Sequence, residues 1–287
     1  MSCLRAKPNR LEGASVAVCK STSKNPVEET RRYVVPPVAP SGFPCVASMR
    51  TMIPLDTAIA LLETARPVEA REILSAHLRA QPHDENAWNL LGKAHVDLLE
   101  LDTAEAAFSR AMELAVFPQT AQYHRGLCRL LRGDFARGWI DYEKRLFVPE
   151  FRPRHFSKPR WEGEDLCGGR LLVLWEQGFG DMFQFSRYLK VLDARGIDWV
   201  MDAQPEVLPL FARSFGAERI VPLILEREPQ ITYDSYVHLM SLPGIFGTTA
   251  DTVPCPPPYL VPNVARAAEM EALLPPRAAG LRVGCAW

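Results

Sequence analysis

A chain of 287 residues is long enough for about two domains of ordinary size, and 47% hydrophobic with 23% charged residues is globular composition. A formal net charge of −1 excludes a global pull toward nucleic acid or an anionic membrane surface. Seven cysteines, never in a CxxC, and six histidines outside any metal-ligand spacing exclude a disulfide framework and a zinc site, and favour a reducing, cytoplasmic setting.

In chain order, residues 1–50 carry eight Lys/Arg against three Asp/Glu, with no apolar period. Such a segment buries too little surface to offset its ordering entropy and reads as a disordered basic tail, or as sequence upstream of a start at Met49 or Met52. It lacks the apolar region of a secretory signal, and no stretch of the chain approaches the ~20 apolar residues that span a bilayer. The expectation is a protein with no membrane span.

From 51 to 152 the chain repeats itself. Gly92 recurs as Gly126, Ala104 as Gly138, Phe108 as Tyr142 and Ala111 as Arg145, each shift being 34 residues. The middle copy, "AWNLLGKAHVDLLELDTAEAAFSRAMEL", resembles the tetratricopeptide repeat, whose period is 34. Small residues let the two helices of a copy approach, and the aromatic fills the gap to the next. Three repeats are expected, near 51–84, 85–118 and 119–152, with a groove able to hold a protein or peptide partner. Residues 119–160 hold ten Lys/Arg against four Asp/Glu. That basic stretch is either a solvated face or a rim that attracts a phosphorylated ligand.

Residues 153–169 keep no period and read as a connector. Beyond Gly169 the pattern becomes α/β. "RLLVLW" is apolar throughout, as in a strand covered on both faces of a parallel sheet. "DMFQFSRYLKVLDARG" predicts an amphipathic helix, "IDWVMDAQ" a second strand, and "PEVLPLFARSFG" a helix with proline at its start. "ERIVPL" and "YDSYVHLM" predict further strands. The alternation implies one doubly wound, Rossmann-like half over 170–280, so the fold class is α + α/β.

The segment "EQGFGD" lies at the carboxyl end of the first strand, where open α/β sheets bind ligands. Gly178 and Gly180 permit a tight turn and close approach of another molecule. The following helix start favours an anion. Phe183 stands where a GxGxxG motif needs glycine, and there is no P-loop lysine, so no NAD or ATP site is expected. Asp181 either caps the helix or serves as a general base toward an acceptor hydroxyl. Glu176 and Gln177 flank the same edge and would orient that hydroxyl, unless Glu176 pairs with Arg187 or another cation. Gln184 is a further candidate for substrate binding, as are His238 and Ser241. His238 reads equally as a core residue, and Ser241 as a helix cap. Trp161 and Trp175 read as packing residues rather than sugar platforms.

"FSKPRWEGEDLCGGRLLVLWEQGFGDMFQFSRYL", "YDSYVHLMSLPGIFGTT" and "PYLVP" together resemble bacterial tetratricopeptide-repeat proteins with a glycosyltransferase-like domain. That group is similar to the heptosyltransferases and the O-linked N-acetylglucosamine transferases. The resemblance covers roughly residues 55–287. It implies a GT-B fold, a nucleotide sugar as donor substrate, inverting transfer, and no metal or other cofactor. In it, Gly180-Asp181 matches a Gly-Asp pair whose aspartate is the catalytic base. "GLRVGCAW", 281–287, resembles the first strand of a second Rossmann-like half, which in the family holds most of the donor. The resemblance therefore implies that the chain is the acceptor-side portion of such an enzyme, with little activity by itself. The alternative is a non-catalytic module that works through its repeats.

Overall fold

The computed structural model describes residues 46–148, 151, 154–225, 227–254 and 258–274, with side chains from residue 54 onward. The tail reading for residues 1–45 and the strand reading for 281–287 lie outside the described residues. Residues 42–262 form one compact unit, and the helix Val264–Leu273 belongs to another.

The first part of the main unit is a set of three helical hairpins. α1 (Val46–Glu63) precedes α2 (Pro67–Ala80), α3 (Glu85–Asp97) precedes α4 (Leu101–Leu114), and α5 (Gln119–Leu131) precedes α6 (Phe135–Tyr142). Because α2, α4 and α6 start at Pro67, Leu101 and Phe135, the structural period matches the 34-residue sequence period. α1 reaches back to Val46, into the last residues of the segment expected to be tail.

The small residues act as expected. A Cβ on Gly92 would sit 2.5 Å from the Phe108 ring, and one on Gly126 would sit 2.5 Å from the backbone nitrogen of Tyr142. In the second and third hairpins the glycine thus lets the partner helix approach at the position of the recurring aromatic. The third hairpin departs from the pattern. α6 stops at Tyr142 and the chain tightens into a 3-10 segment, Glu143–Phe147, which carries Arg145.

The second part is a four-stranded parallel sheet: β1 (Arg170–Leu174), β2 (Asp198–Ala203), β3 (Ile220–Pro222) and β4 (Ser235–His238), in the order β3-β2-β1-β4. Leu171 to Leu174 are fully buried. Leu171 and Val173 meet a core with Trp199, Met201, Leu189 and Phe211, while Leu172 and Leu174 join Val200 and Tyr233 on the opposite face. Coverage on both faces is why this strand is apolar without alternation.

One helix expectation needs correction. The helix after β1 is broken into α7 (Phe179–Phe185) and α8 (Arg187–Ala194). At the break, the Ser186 hydroxyl donates to the Phe183 carbonyl at 2.9 Å, and such local bonding competes with the helical ladder and bends it. Beyond β2 lies α9 (Leu208–Phe215), and beyond β4 a 3-10 turn, Leu239–Ser241, leads into the short α10 (Leu242–Ile245). α11 (Val264–Leu273) has its first turn capped by Asn263, which accepts from the Arg266 N–H at 3.0 Å.

Candidate functional site

Strand order reverses at β1: β2 and β3 lie to one side and β4 to the other. The carboxyl ends of β1 and β4 therefore flank a switch point, the place where open α/β sheets leave a crevice for ligands. Glu176 and Gln177 follow β1, and His238 ends β4. Opposite them stands the third hairpin, docked on the α/β part through several contacts. Trp139 Nε1 donates to the Thr248 carbonyl at 2.8 Å, the Tyr142 hydroxyl lies 3.8 Å from Met240 Sδ, and Gly244 packs against Trp139.

A further contact is Arg145, 2% exposed. Its Nε donates to Glu176 Oε1 at 2.6 Å, and its Nη2 donates to Glu176 Oε2 at 2.9 Å and to Ser241 Oγ at 2.8 Å. Nη1 reaches Glu143 at 2.9 Å, and the guanidinium lies 4.7 Å from the Tyr142 ring centroid. The Ser241 hydroxyl donates to Glu143 at 2.9 Å. Burial opposes the charge of Arg145, but Glu176 and Glu143 outweigh it and hold the guanidinium even more firmly protonated than usual. For Glu143, burial alone would raise the carboxyl, yet Arg145, Ser241 and Arg160 keep it below the usual carboxylate range. Glu176 thus has a cation partner, and it is Arg145 rather than Arg187. Arg187 turns instead to the carbonyls of Gln184 and Pro254. Ser241 makes no helix cap; its hydroxyl belongs to the Arg145 network.

A second arginine, Arg154, reaches the sheet from the connector. Arg154 Nη1 donates to Asp202 Oδ2 at 2.5 Å, and the Trp175 backbone N–H donates to Asp202 Oδ1 at 2.6 Å. Asp202 is fully buried at 0% exposure, and its burial pushes the carboxyl upward against the pull of Arg154 and the Trp175 N–H.

A cleft of about 970 Å³ opens between hairpins and sheet. Lys93, Thr120, Tyr123 and His124 wall it from the hairpins, and Trp175, Glu176, Gln177 and His238 from the strand ends. Phe151 and Arg154, from the connector, join them. The His238 ring packs edge-on against Phe151, with centroids 5.4 Å apart. Its Nδ1 is 3.8 Å from Glu176, too far for a hydrogen bond, and is buried without a partner among the described residues. Burial, reinforced by the charge of Arg145, depresses this imidazole to about 3, so His238 stands neutral at physiological pH.

The glycine turn is open on its outer side. Gly178 and Gly180 do not take left-handed backbone; that conformation falls on Gln177, at φ 63. A Cβ on Gly180 would meet nothing within 4 Å, and one on Gly178 only Asp181 Oδ2 at 3.7 Å. Nothing inside the described fold demands glycine there. Asp181 is half-buried in the first turn of α7, where its Oδ2 accepts the Gly178 N–H at a long 3.3 Å. It stands outside the residues that wall the cleft, but near enough to Tyr123 for its charge to add to the burial that raises that phenol. Gln184 is exposed, one turn further along α7.

The structure therefore gathers Glu176, Gln177 and His238 at one cleft, sets Ser241 behind them in the Arg145 network, and leaves Asp181, Gly178 and Gly180 on the adjoining turn. Sequence reasoning missed Arg145, Arg154 and Asp202. For Arg145 a signal existed: it occupies the slot that Ala111 fills one period earlier, and a long cation in a small-residue slot has to leave the solenoid. Among the described residues no group of His, Cys, Asp and Glu is arranged to hold a metal ion, and no helix is long and apolar enough to cross a membrane.

No family model matches the chain. It is similar to Protein FlbA of Caulobacter vibrioides, with 28% identity over an alignment of 284 residues that covers 80% of this chain. The chain spans about half of that relative, 48% of its length.

Proposed function

We propose that this chain is the acceptor-side portion of a nucleotide-sugar-dependent glycosyltransferase, with tetratricopeptide-like hairpins that present a protein or peptide acceptor. The observation that supports this most directly is the switch-point crevice. A parallel sheet of order β3-β2-β1-β4 sets the Glu176–Asp181 turn beside His238, and a cleft of about 970 Å³ opens from there toward the hairpins. The three hairpins at a 34-residue period, with Gly92 under Phe108 and Gly126 under Tyr142, support the repeat reading. The sheet order supports a Rossmann-like half. Open space above Gly178 and Gly180, together with a non-glycine residue held at φ 63 beside them, supports a turn shaped for an external molecule.

In this reading Asp181 takes the proton of an acceptor hydroxyl as the hydroxyl oxygen bonds to the anomeric carbon of the sugar. The bond from that carbon to the phosphate oxygen breaks, and the nucleoside diphosphate leaves with the electron pair; Gln177 orients the hydroxyl. His238, neutral, offers a hydrogen bond without competing for the proton. Glu176, bound on both oxygens to Arg145, holds the turn in place and touches no substrate. The test is transfer of labelled sugar from a panel of nucleotide sugars to protein acceptors, using the protein isolated from its own cells. Asp181→Asn is expected to lower transfer by roughly 10²–10⁴-fold without loss of folded protein. Transfer that survives the substitution unchanged rejects the assignment.

A second reading, a non-catalytic interaction module, is favoured by one observation: both carboxylates of the turn already have partners, Glu176 in Arg145 and Asp181 in its own helix start. Under it, Asp181→Asn leaves every cellular activity intact, while charge reversal on α5 abolishes partner capture.

A further inference from the structure

Five buried side-chain atoms among the described residues have no hydrogen-bond partner, and four of them belong to the wall of one cleft. These four are Arg154 Nε, Arg154 Nη2, Trp175 Nε1 and His238 Nδ1. An orphaned buried polar group is costly and native folds leave few of them, so four in one wall call for a partner from outside.

We infer that this wall is a subsite for an oxyanion, a carboxylate or phosphate borne by a small molecule, received by Arg154, Trp175 and His238. Arg154 and Trp175 are neighbours, because both donate to the carboxylate of Asp202. Asp202 occupies Nη1 only. The Nε–Nη2 edge that remains is a pair of parallel N–H bonds, the arrangement that takes two oxygens of a carboxylate or phosphate at once. Trp175 Nε1 can only donate, and His238 Nδ1 donates in one tautomer. Three of the four atoms can only donate, and the fourth joins them in the Nδ1–H tautomer, so the set selects an acceptor-rich group. Lys93, exposed at the same cleft and in no ion pair among the described residues, adds positive charge.

The rest of the wall, with Val148, Phe151 and Leu174, suits an apolar or ring-bearing body attached to the anion. Bulk water does not reach the four nitrogens, so binding requires side-chain adjustment at the wall, on the rotamer scale common in complexes. The subsite needs no sugar transfer. A purely non-catalytic module would hold the same ligand, and loss of the subsite would leave the role of Asp181 untouched.

The test is calorimetric titration of the purified 287-residue protein with phenyl phosphate, benzoate and benzyl alcohol, three probes that share a ring and differ in the polar end. Saturable binding is expected for phenyl phosphate or benzoate and absent for benzyl alcohol, and the stronger of the two anions identifies the oxyanion. Trp175→Phe removes one N–H and keeps an aromatic ring; Arg154→Lys keeps the charge and removes the fork. Each is expected to weaken anion binding by about tenfold. The melting temperature of ligand-free Trp175→Phe is expected to equal or exceed that of the wild type, because an unpartnered donor has been removed. Absence of anion binding at millimolar concentration overturns the inference. So does equal binding of benzyl alcohol, or unchanged affinity in both variants.

Discussion

Two arginines come to the carboxyl edge of the sheet from the same stretch of chain, and they are treated differently. Arg145 meets Glu176, Glu143 and Ser241, and every one of its terminal nitrogens has a partner. Arg154 meets Asp202 through one nitrogen and leaves its other edge bare. A buried charge with all its hydrogen bonds made is a fastening, and one with half of them made is a receptor. The joint between hairpins and sheet and the wall of the cleft therefore have separate purposes, although they share residue types.

The sharpest way to break this contrast is at Glu176. Glu176→Leu leaves Arg145 buried and short of its main counter-charge, and is expected to destabilise the protein by about 3–5 kcal/mol in urea unfolding. The double variant Arg145→Met, Glu176→Leu removes both charges and should recover most of that loss. A double variant no more stable than the single one would mean that the pair does more than compensate itself.

His238 gives the next largest effect, through pH. Its folded value, about 3, lies below the ordinary 6.5, so the unfolded chain takes up the proton first as pH falls. The stability it contributes is complete above about pH 6.5 and declines between there and about pH 3, at a limiting slope of about 1.4 kcal/mol per pH unit. His238→Phe removes this slope. Thermal melts from pH 7 to pH 4 should therefore show the wild type losing stability relative to the variant as pH falls; parallel curves would show that the imidazole is not held neutral.

Two glycines sharpen the comparison within the hairpins. A Cβ at position 126 meets backbone of α6, whereas at position 92 the nearest atoms are those of the Phe108 side chain, which yields more readily than backbone. Gly126→Ala is expected to cost about 1–3 kcal/mol by melting, and Gly92→Ala less. Equal losses would place the tight contact in the ring rather than in the helix approach. Smallest of all, Gln177→Gly relieves a non-glycine residue from φ 63 and should stabilise by about 1 kcal/mol while lowering any activity that needs the side chain.

Much of this arrangement could be read from residue order alone. The shift of 34 that links Gly92 to Gly126 and Phe108 to Tyr142 marks the hairpins, because a repeated contact demands a repeated residue. The unbroken apolar run Leu171–Leu174 marks a strand covered on both faces. Three features escaped. The bend at Ser186 depends on a single hydroxyl choosing the Phe183 carbonyl, which the helical period does not register. The left-handed residue falls on Gln177 and not on the glycines beside it, since the turn leaves them unconstrained. The couples Arg145–Glu176 and Arg154–Asp202 join residues far apart in the chain, and local pattern carries no information about which distant charge will face which.

The docking of Trp139, Tyr142 and Arg145 onto the sheet has a mechanical consequence. A solenoid tethered only by its linker would swing freely, and whatever sat in its groove would be unknown to the crevice. Here the last hairpin is riveted to the same loop that forms one lip of the opening. The last hairpin and the Glu176 loop therefore cannot shift past one another without breaking the buried Arg145–Glu176 pair.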